Sequence, residues 1–126
     1  MIVADTSIWI DHLRNGHSPL ERVLDAGSVM CHPWVVGELA LGHLGQRQEI
    51  LDLLRGLPQA VVATAEEVLT FVERHTLYGL GIGYEDAQLL AATQLTPGAR
   101  LWTHDKRLAA AASSLGLDVD PAAVGK

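Results

Sequence analysis

The stretch Ile2-Val3-Ala4-Asp5-Thr6-Ser7 decides the fold. A short apolar run reads as a buried strand, and it is followed at once by Asp, Thr and Ser, residue types that cap a helix rather than continue a strand. The chain is therefore expected to turn from strand to helix at Asp5. Ile8, Trp9 and Leu13 then face inward on a helix that Asn15-Gly16 stops. The same alternation recurs along the sequence. Ser18-Pro19-Leu20-Glu21 has the form of a capping box with proline in the first turn, and Gly27 closes that short helix. Ser28-Val29-Met30-Cys31 is a second buried strand, and Pro33 opens a helix from Trp34 to about Leu44.

Further on, Arg47 to Arg55 reads as a helix with Ile50, Leu53 and Leu54 on one face, and Gln59-Ala60-Val61-Val62-Ala63 as the third strand. Thr64-Ala65-Glu66-Glu67 is another capping box, and Val68, Phe71, Val72 and His75 recur at helical spacing behind it. Gly79, Gly81 and Gly83 form a loop before a helix from Glu85 to Leu95. Ala99-Arg100-Leu101-Trp102-Thr103 makes the fourth strand, and Asp105 to Leu115 the last helix. Short apolar strands separated by helices predict a three-layer α/β/α domain over residues 1–126, with a central parallel sheet of four to five strands.

Composition narrows the function. The chain has 126 residues, 48% apolar and 19% charged, enough for one core without disulfides or structural zinc. Cys31 is the single cysteine, which together with the absence of an export signal predicts a reducing, cytoplasmic setting. No apolar run approaches the roughly 18 residues that span a bilayer, so no membrane insertion is expected. Nine Lys+Arg against fifteen Asp+Glu give a net charge of −6, which argues against a broad basic surface for nucleic acid. Metal ions or local basic patches would have to compensate.

Asp5 and Asp105 each end or nearly follow an apolar run, so a parallel sheet would deliver both to the carboxyl edge of its strands, where such folds bind ligands. Each alone also reads as a helix cap, and so does Asp86 in the first turn of its helix. Glu38 is different. It lies inside a helix among Val35, Val36, Leu39, Ala40 and Leu41, with no Lys or Arg within one turn. Capping is impossible there, and burial of such a charge calls for a partner or a metal. Together Asp5, Glu38, Asp86 and Asp105 make an oxygen-ligand set of the kind that hard divalent cations, Mg²⁺ or Mn²⁺, occupy. Removing these four charges from −6 leaves −2, so the rest of the molecule is nearly balanced.

Four segments in order carry a resemblance: residues 2–11 from Ile2 to Asp11, Gly37-Glu38-Leu39-Ala40, residues 83–92 from Gly83 to Ala92, and residues 101–108 from Leu101 to Leu108. With them the chain resembles the PIN-domain ribonucleases, and within these the VapC family of toxin-antitoxin toxins. The resemblance implies a PIN-like domain and a Mg²⁺- or Mn²⁺-dependent endoribonuclease. By it, Asp5, Glu38, Asp86 and Asp105 match the family's metal-binding, catalytic acids, and Thr6, Ser7 and Thr103 the hydroxyls beside them. It also implies an RNA substrate, a small VapB-type antitoxin and a homodimer. Two positions depart from the family pattern: Leu108 stands where some members carry a further acid, and His104 where Arg often precedes the last one.

Other constellations carry less. His12, His32, His43, His75 and His104 lack zinc spacing, Ser7 lacks a nucleophile elbow, and a phosphoryl-accepting Asp5 would need a second Asp where Ser7 stands. Arg14, Arg47, Lys106 and Arg107 are candidates for contacts to an RNA backbone. The acid set alone also fits a non-catalytic module that receives a basic partner, or a related nuclease acting on DNA.

Overall fold

In the computed structural model of the chain, which describes residues 1–124, strand β1 (Ile2–Ala4) occupies the centre of the sheet. It pairs in parallel with β2 (Val29–Met30) on one side and β3 (Arg100–Trp102) on the other, giving the order β2-β1-β3. Val3 lies opposite Met30 and Leu101, and Ala4 opposite Trp102. All three residues of β1 are buried, as a strand covered on both faces requires.

Helices α1 (Thr6–Asn15) and α2 (Ser18–Asp25) connect β1 to β2. Four more, α3 (Pro33–Ala40), α4 (Arg47–Gly56), α5 (Ala65–His75) and α6 (Tyr84–Leu95), lead to β3. After it come α7 (Lys106–Ser114) and a short 3₁₀ turn, Pro121–Val124. The frame is thus α/β and PIN-like, with a parallel sheet flanked by helices.

The sheet is narrower than the expected four to five strands. Residues 59–63 form no strand; they meet the sheet at one parallel bridge, where Cys31 N–H donates to the Pro58 carbonyl (2.8 Å) and Ala60 N–H to that of Cys31 (2.9 Å). The ladder stops there because the chain beyond Cys31 enters α3 at Pro33, which leaves Val61 and Val62 no strand to pair with. Val61 N–H turns instead to Thr96 Oγ1 (2.9 Å), and Val61 and Val62 are 45% and 50% exposed. On the other edge Leu101 forms a single parallel bridge with Asp118.

Helix α3 ends at Ala40, short of the expected Leu44. The cause is non-local: Arg47 reaches back and donates to the carbonyls of Ala40 (2.5 Å) and Gly42 (3.2 Å), which α3 would otherwise leave unpaired. Arg47 is thereby committed to a helix end rather than held out toward RNA. The start of α3 is equally specific. His32, fully buried, caps it by accepting the Trp34 N–H on Nδ1 (3.0 Å), and burial holds its pKa below the ordinary value.

The core runs along both faces of β1, with Ile8 and Trp9 from α1, Leu20 from α2, Leu90 from α6, Leu101 from β3 and Leu108 from α7 all buried. In α4 the buried pair is Leu51 and Leu54, whereas Leu53 is 52% exposed. Residues Ala87 to Thr93 of α6 are buried without a break, so this helix fills the interior rather than covering it. Thr93 Oγ1 and Thr96 Oγ1 donate hydrogen bonds to the carbonyls of Leu89 and Ala92, both at 2.7 Å.

These differences in burial predict unequal substitutions. Leu101→Ala should cost about 2–5 kcal/mol by cavity formation, whereas Val62→Ser, outside any ladder, should stay within about 0.5 kcal/mol. Urea unfolding of both variants measures this. A large loss at Val62 would restore residues 59–63 to the core of the sheet.

Candidate active site

The carboxyl ends of β1 and β3 lie side by side, and one carboxylate stitches them together. Asp5 directly follows β1, and its N–H makes the last ladder bond, to the Trp102 carbonyl at 3.0 Å. Its buried side chain receives four donors. Oδ1 accepts from Ser7 N–H (2.9 Å), Ser7 Oγ (2.5 Å) and Ile8 N–H (3.4 Å), while Oδ2 accepts from Thr103 Oγ1 (2.5 Å). The network continues into the loop after β3. His104 N–H donates to Ser7 Oγ and Asp105 N–H to Thr103 Oγ1, both at 3.0 Å. Ser7 and Thr103, two of the hydroxyls that the resemblance sets beside the acids, both donate to Asp5, whereas Thr6 takes no part in these bonds.

Three of the four candidate acids do cap helices. Asp5 caps α1, Asp105 Oδ1 accepts from Arg107 N–H (2.9 Å) and Leu108 N–H (3.1 Å) to cap α7, and Asp86 Oδ2 accepts from Gly83 N–H (3.0 Å) at the start of α6. Capping and ligation are compatible. The cap fixes one oxygen of Asp86 and Asp105 and leaves the other to point elsewhere, which orients a carboxylate without consuming it.

The electrostatics link Asp86 to Asp5 and Asp105, and reach Glu38 only through Glu85. Desolvation raises the pKa of Asp86, the Gly83 N–H partly counteracts it, and the charges of Asp105 and Asp5 push it higher. Glu85 is shifted to about 7, first by its hydrogen bond with Glu38, then by burial and by the charges of Glu38, Asp86 and Asp5. Glu38 is exposed rather than buried, so what marks it is its place beside Glu85 and not the burial of a charge. Glu85 stands among these acids and was missed in the sequence, where it reads as an ordinary first-turn acid of α6. An adjacent pair of acids, Glu85-Asp86, was the signal available. The donor set fits a hard divalent cation: among the described residues it holds carboxylates and hydroxyls, and burial of Asp86 together with the lesser push of the Asp105 and Asp5 charges raises that acid, a charge cost that a cation would relieve.

The departures from the family pattern also have a place. Leu108 is fully buried in the core. The His104 ring is turned to Asp11, with Nε2 3.2 Å from Asp11 Oδ2, and His17 stands against the same oxygen at 3.4 Å. Asp11, His17 and His104 thus bring one potential ligand atom each within 4.8 Å of one another. Among the cations, Arg107 lies over Gly81, where a Cβ would stand 2.6 Å from its guanidinium. Glu38 also sits at the junction of two surface features. One is a groove of about 540 Å³ lined by Ile10, Leu13, Leu39, Leu44 and Ile50. The other is a shallower hollow with Trp34 and Tyr84, whose rings are 5.6 Å apart.

The Glu85 proton has a sign that can be measured. Glu85 titrates near 7 in the folded chain against 4.5 ordinarily, so the folded state holds a proton that the unfolded state gives up between those values. Its contribution to stability is present below 4.5 and is lost as pH rises through about 7. In metal-free buffer, the melting temperature of wild type relative to Glu85→Gln should fall across this interval. A difference independent of pH would show that Glu38 and Glu85 share no proton.

No family model matches the chain. Over 117 residues, 93% of this chain and 94% of the relative, it is 50% identical to Ribonuclease VapC32 of Mycobacterium tuberculosis strain CDC 1551 / Oshkosh. The same identity and coverage hold for Ribonuclease VapC32 of strain ATCC 25618 / H37Rv. Half the residues are shared over nearly the full length of both proteins, on a PIN-like frame that gathers acids at the carboxyl edge of its sheet, and the chain belongs to the VapC family of ribonucleases.

Proposed function

We propose that this protein is the toxin of a toxin-antitoxin pair, an endoribonuclease that hydrolyses RNA phosphodiester bonds with Mg²⁺ or Mn²⁺ held by Asp5, Glu38, Asp86 and Asp105. The observation that carries this reading is the Asp5 network, which joins the loops of β1 and β3 and directs Asp5 and Asp105 to one edge. When bound, a hard divalent cation supplies charge to offset the phosphodiester and acidifies water for in-line attack. The chain's own residues do the rest. Ser7 and Thr103 hold the Asp5 carboxylate in one orientation, and the start of α7 holds Asp105. Glu38, beside Glu85 at the rim, would hold the metal directly or orient the attacking water. Lys106 and Arg107, at the start of α7 beside Asp105, are available to an RNA backbone.

The partner follows from the same surface. A VapB-type antitoxin would seat an apolar segment in the groove of Ile10, Leu13, Leu39, Leu44 and Ile50, and a basic side chain on the acids that begin at Glu38. None of the described helices is long and apolar enough to cross a membrane, and we place the protein in the cytoplasm as a homodimer.

Asp5→Asn tests the site. The amide oxygen still accepts the Ser7 and Ile8 N–H bonds, so α1 stays capped, but the amide nitrogen cannot accept from Thr103 Oγ1, and the metal-free variant should melt somewhat lower than wild type while remaining folded. Cleavage of a fluorescent RNA hairpin should fall by about a hundredfold or more, since even partners one shell removed from a metal contribute 10–100-fold. The variant should also lose the upward melting shift that Mg²⁺ gives wild type. Cleavage by wild type that survives excess EDTA would remove the metal mechanism, and preferential cleavage of a matched DNA would reassign the substrate. Separately, Leu44→Lys should weaken capture of the co-encoded antitoxin while cleavage of the hairpin continues. Undiminished capture would place the antitoxin elsewhere.

A further inference from the structure

The Asp11, His17 and His104 cluster is a different kind of site from the acid set beside it. Asp11 projects from α1, His17 stands at the residue before α2, and His104 lies in the loop between β3 and α7, so three separate elements converge. Both imidazoles approach by Nε2, and both approach one atom, Asp11 Oδ2, at 3.4 and 3.2 Å. Ordinary N–H···O hydrogen bonds run about 2.7–3.2 Å, so the His17 contact is too long for one. Tetrahedral ligands on bonds of about 2.0–2.1 Å stand about 3.3–3.4 Å apart, which both separations approach.

The surroundings orient this set. Asn15 Nδ2 donates to Asp11 Oδ1 at 3.2 Å, turning Oδ2 toward the two rings. The Nδ1 of His17 is buried without a hydrogen-bond partner, and its ring is held instead by Trp102, with centroids 5.4 Å apart. The His104 backbone is pinned by its bond to Ser7 Oγ. The side chains of Asp11 and His104 are 33% and 46% exposed, so an ion can enter from solvent.

We propose that Asp11, His17 and His104 bind a borderline divalent cation of the Zn²⁺, Co²⁺ or Ni²⁺ class. Two imidazoles and one carboxylate select such ions, whereas a carboxylate and hydroxyl set selects Mg²⁺ and Mn²⁺. Three protein ligands leave the remaining coordination position to water. An ion held there ties α1 and the start of α2 to the loop that carries Thr103 and Asp105, and so braces the support of Asp5. The inference stands whether or not the acid set is a nuclease centre.

The test is a Co²⁺ titration of the full chain with Mg²⁺ in excess to occupy the carboxylates, followed by visible absorption. One Co²⁺ per chain should give the intense band of a four-coordinate, imidazole-containing site, and Zn²⁺ should abolish it. The band should disappear in His17→Gln and in His104→Gln, and persist in Asp86→Asn. Zn²⁺ affinity in either histidine variant should fall by about a hundredfold or more, beyond what outer-shell changes cost. His104 is exposed, so His104→Gln folds and decides the matter even if His17→Gln does not. A weak, six-coordinate spectrum in wild type, or a band that survives His104→Gln, would overturn the assignment and leave the cluster a set of ring and carboxylate contacts.

Discussion

Asp5 is a charged side chain 7% exposed at the end of the central strand, and a buried carboxylate is tolerated only when its oxygens are hydrogen-bonded. The donors come from both sides of the sheet's edge. Ser7 and Ile8 belong to the helix that Asp5 itself begins, while Thr103 arrives from beyond β3, and the Thr103 bond closes a contact between chain segments far apart in sequence. Charge-assisted bonds of this kind contribute on the order of 1.5–3 kcal/mol each. The same bonds that make the burial tolerable also fix where the loop after β3 runs, and with it Asp105 and the His104 ring.

Helix capping and ligation are usually weighed against each other for an aspartate at a helix start, and here they cooperate. An N-cap bond holds one carboxylate oxygen within a narrow range of directions, so Asp86 and Asp105 reach the site with less side-chain freedom to lose than an acid on an exposed helix face. Glu38 has no cap to orient it. Its neighbour is another acid, Glu85, whose pKa the hydrogen bond with Glu38, then burial and the nearby charges raise to about 7. The site therefore combines rigid acids at helix starts with a softer pair that responds to pH and to added positive charge.

The centre of the sheet was legible because each of its strands is a short apolar run that ends at a capping residue or a proline, and those are local signals. Residues 59–63 show the limit of such reading. Val61 and Val62 have the composition of a buried strand, yet the partner of Val61 is Thr96, a contact no local pattern announces. The early end of α3 has the same origin, since Arg47 supplies the missing donors from the next helix. At the site, the acids that double as caps could be found from their place in the strand-to-helix turns. Glu85 could not be told from Glu66 or Glu67, first-turn acids of α5, because its distinction is proximity to Glu38 on another helix. His17 lies between helices and outside every motif, and only the turn from α1 to α2 sets it against Asp11.

The net charge of −6 then acquires a location and a consequence. Asp5, Glu38, Glu85, Asp86 and Asp105 concentrate negative charge at one edge of a sheet whose interior is otherwise apolar and well packed. Repulsion there opposes folding of the metal-free chain, and any cation or basic side chain that settles on the acids removes that opposition and is bound more tightly for doing so. RNA, a polyanion, is repelled by the bare site and can approach only once the charge is offset. A basic antitoxin residue and a divalent cation, the two partners proposed for this site, would thus address the same electrostatic deficit. In the proposed function one of them would exclude phosphate and the other attract it, so competition for these carboxylates would be enough to separate a silent state of the protein from an active one.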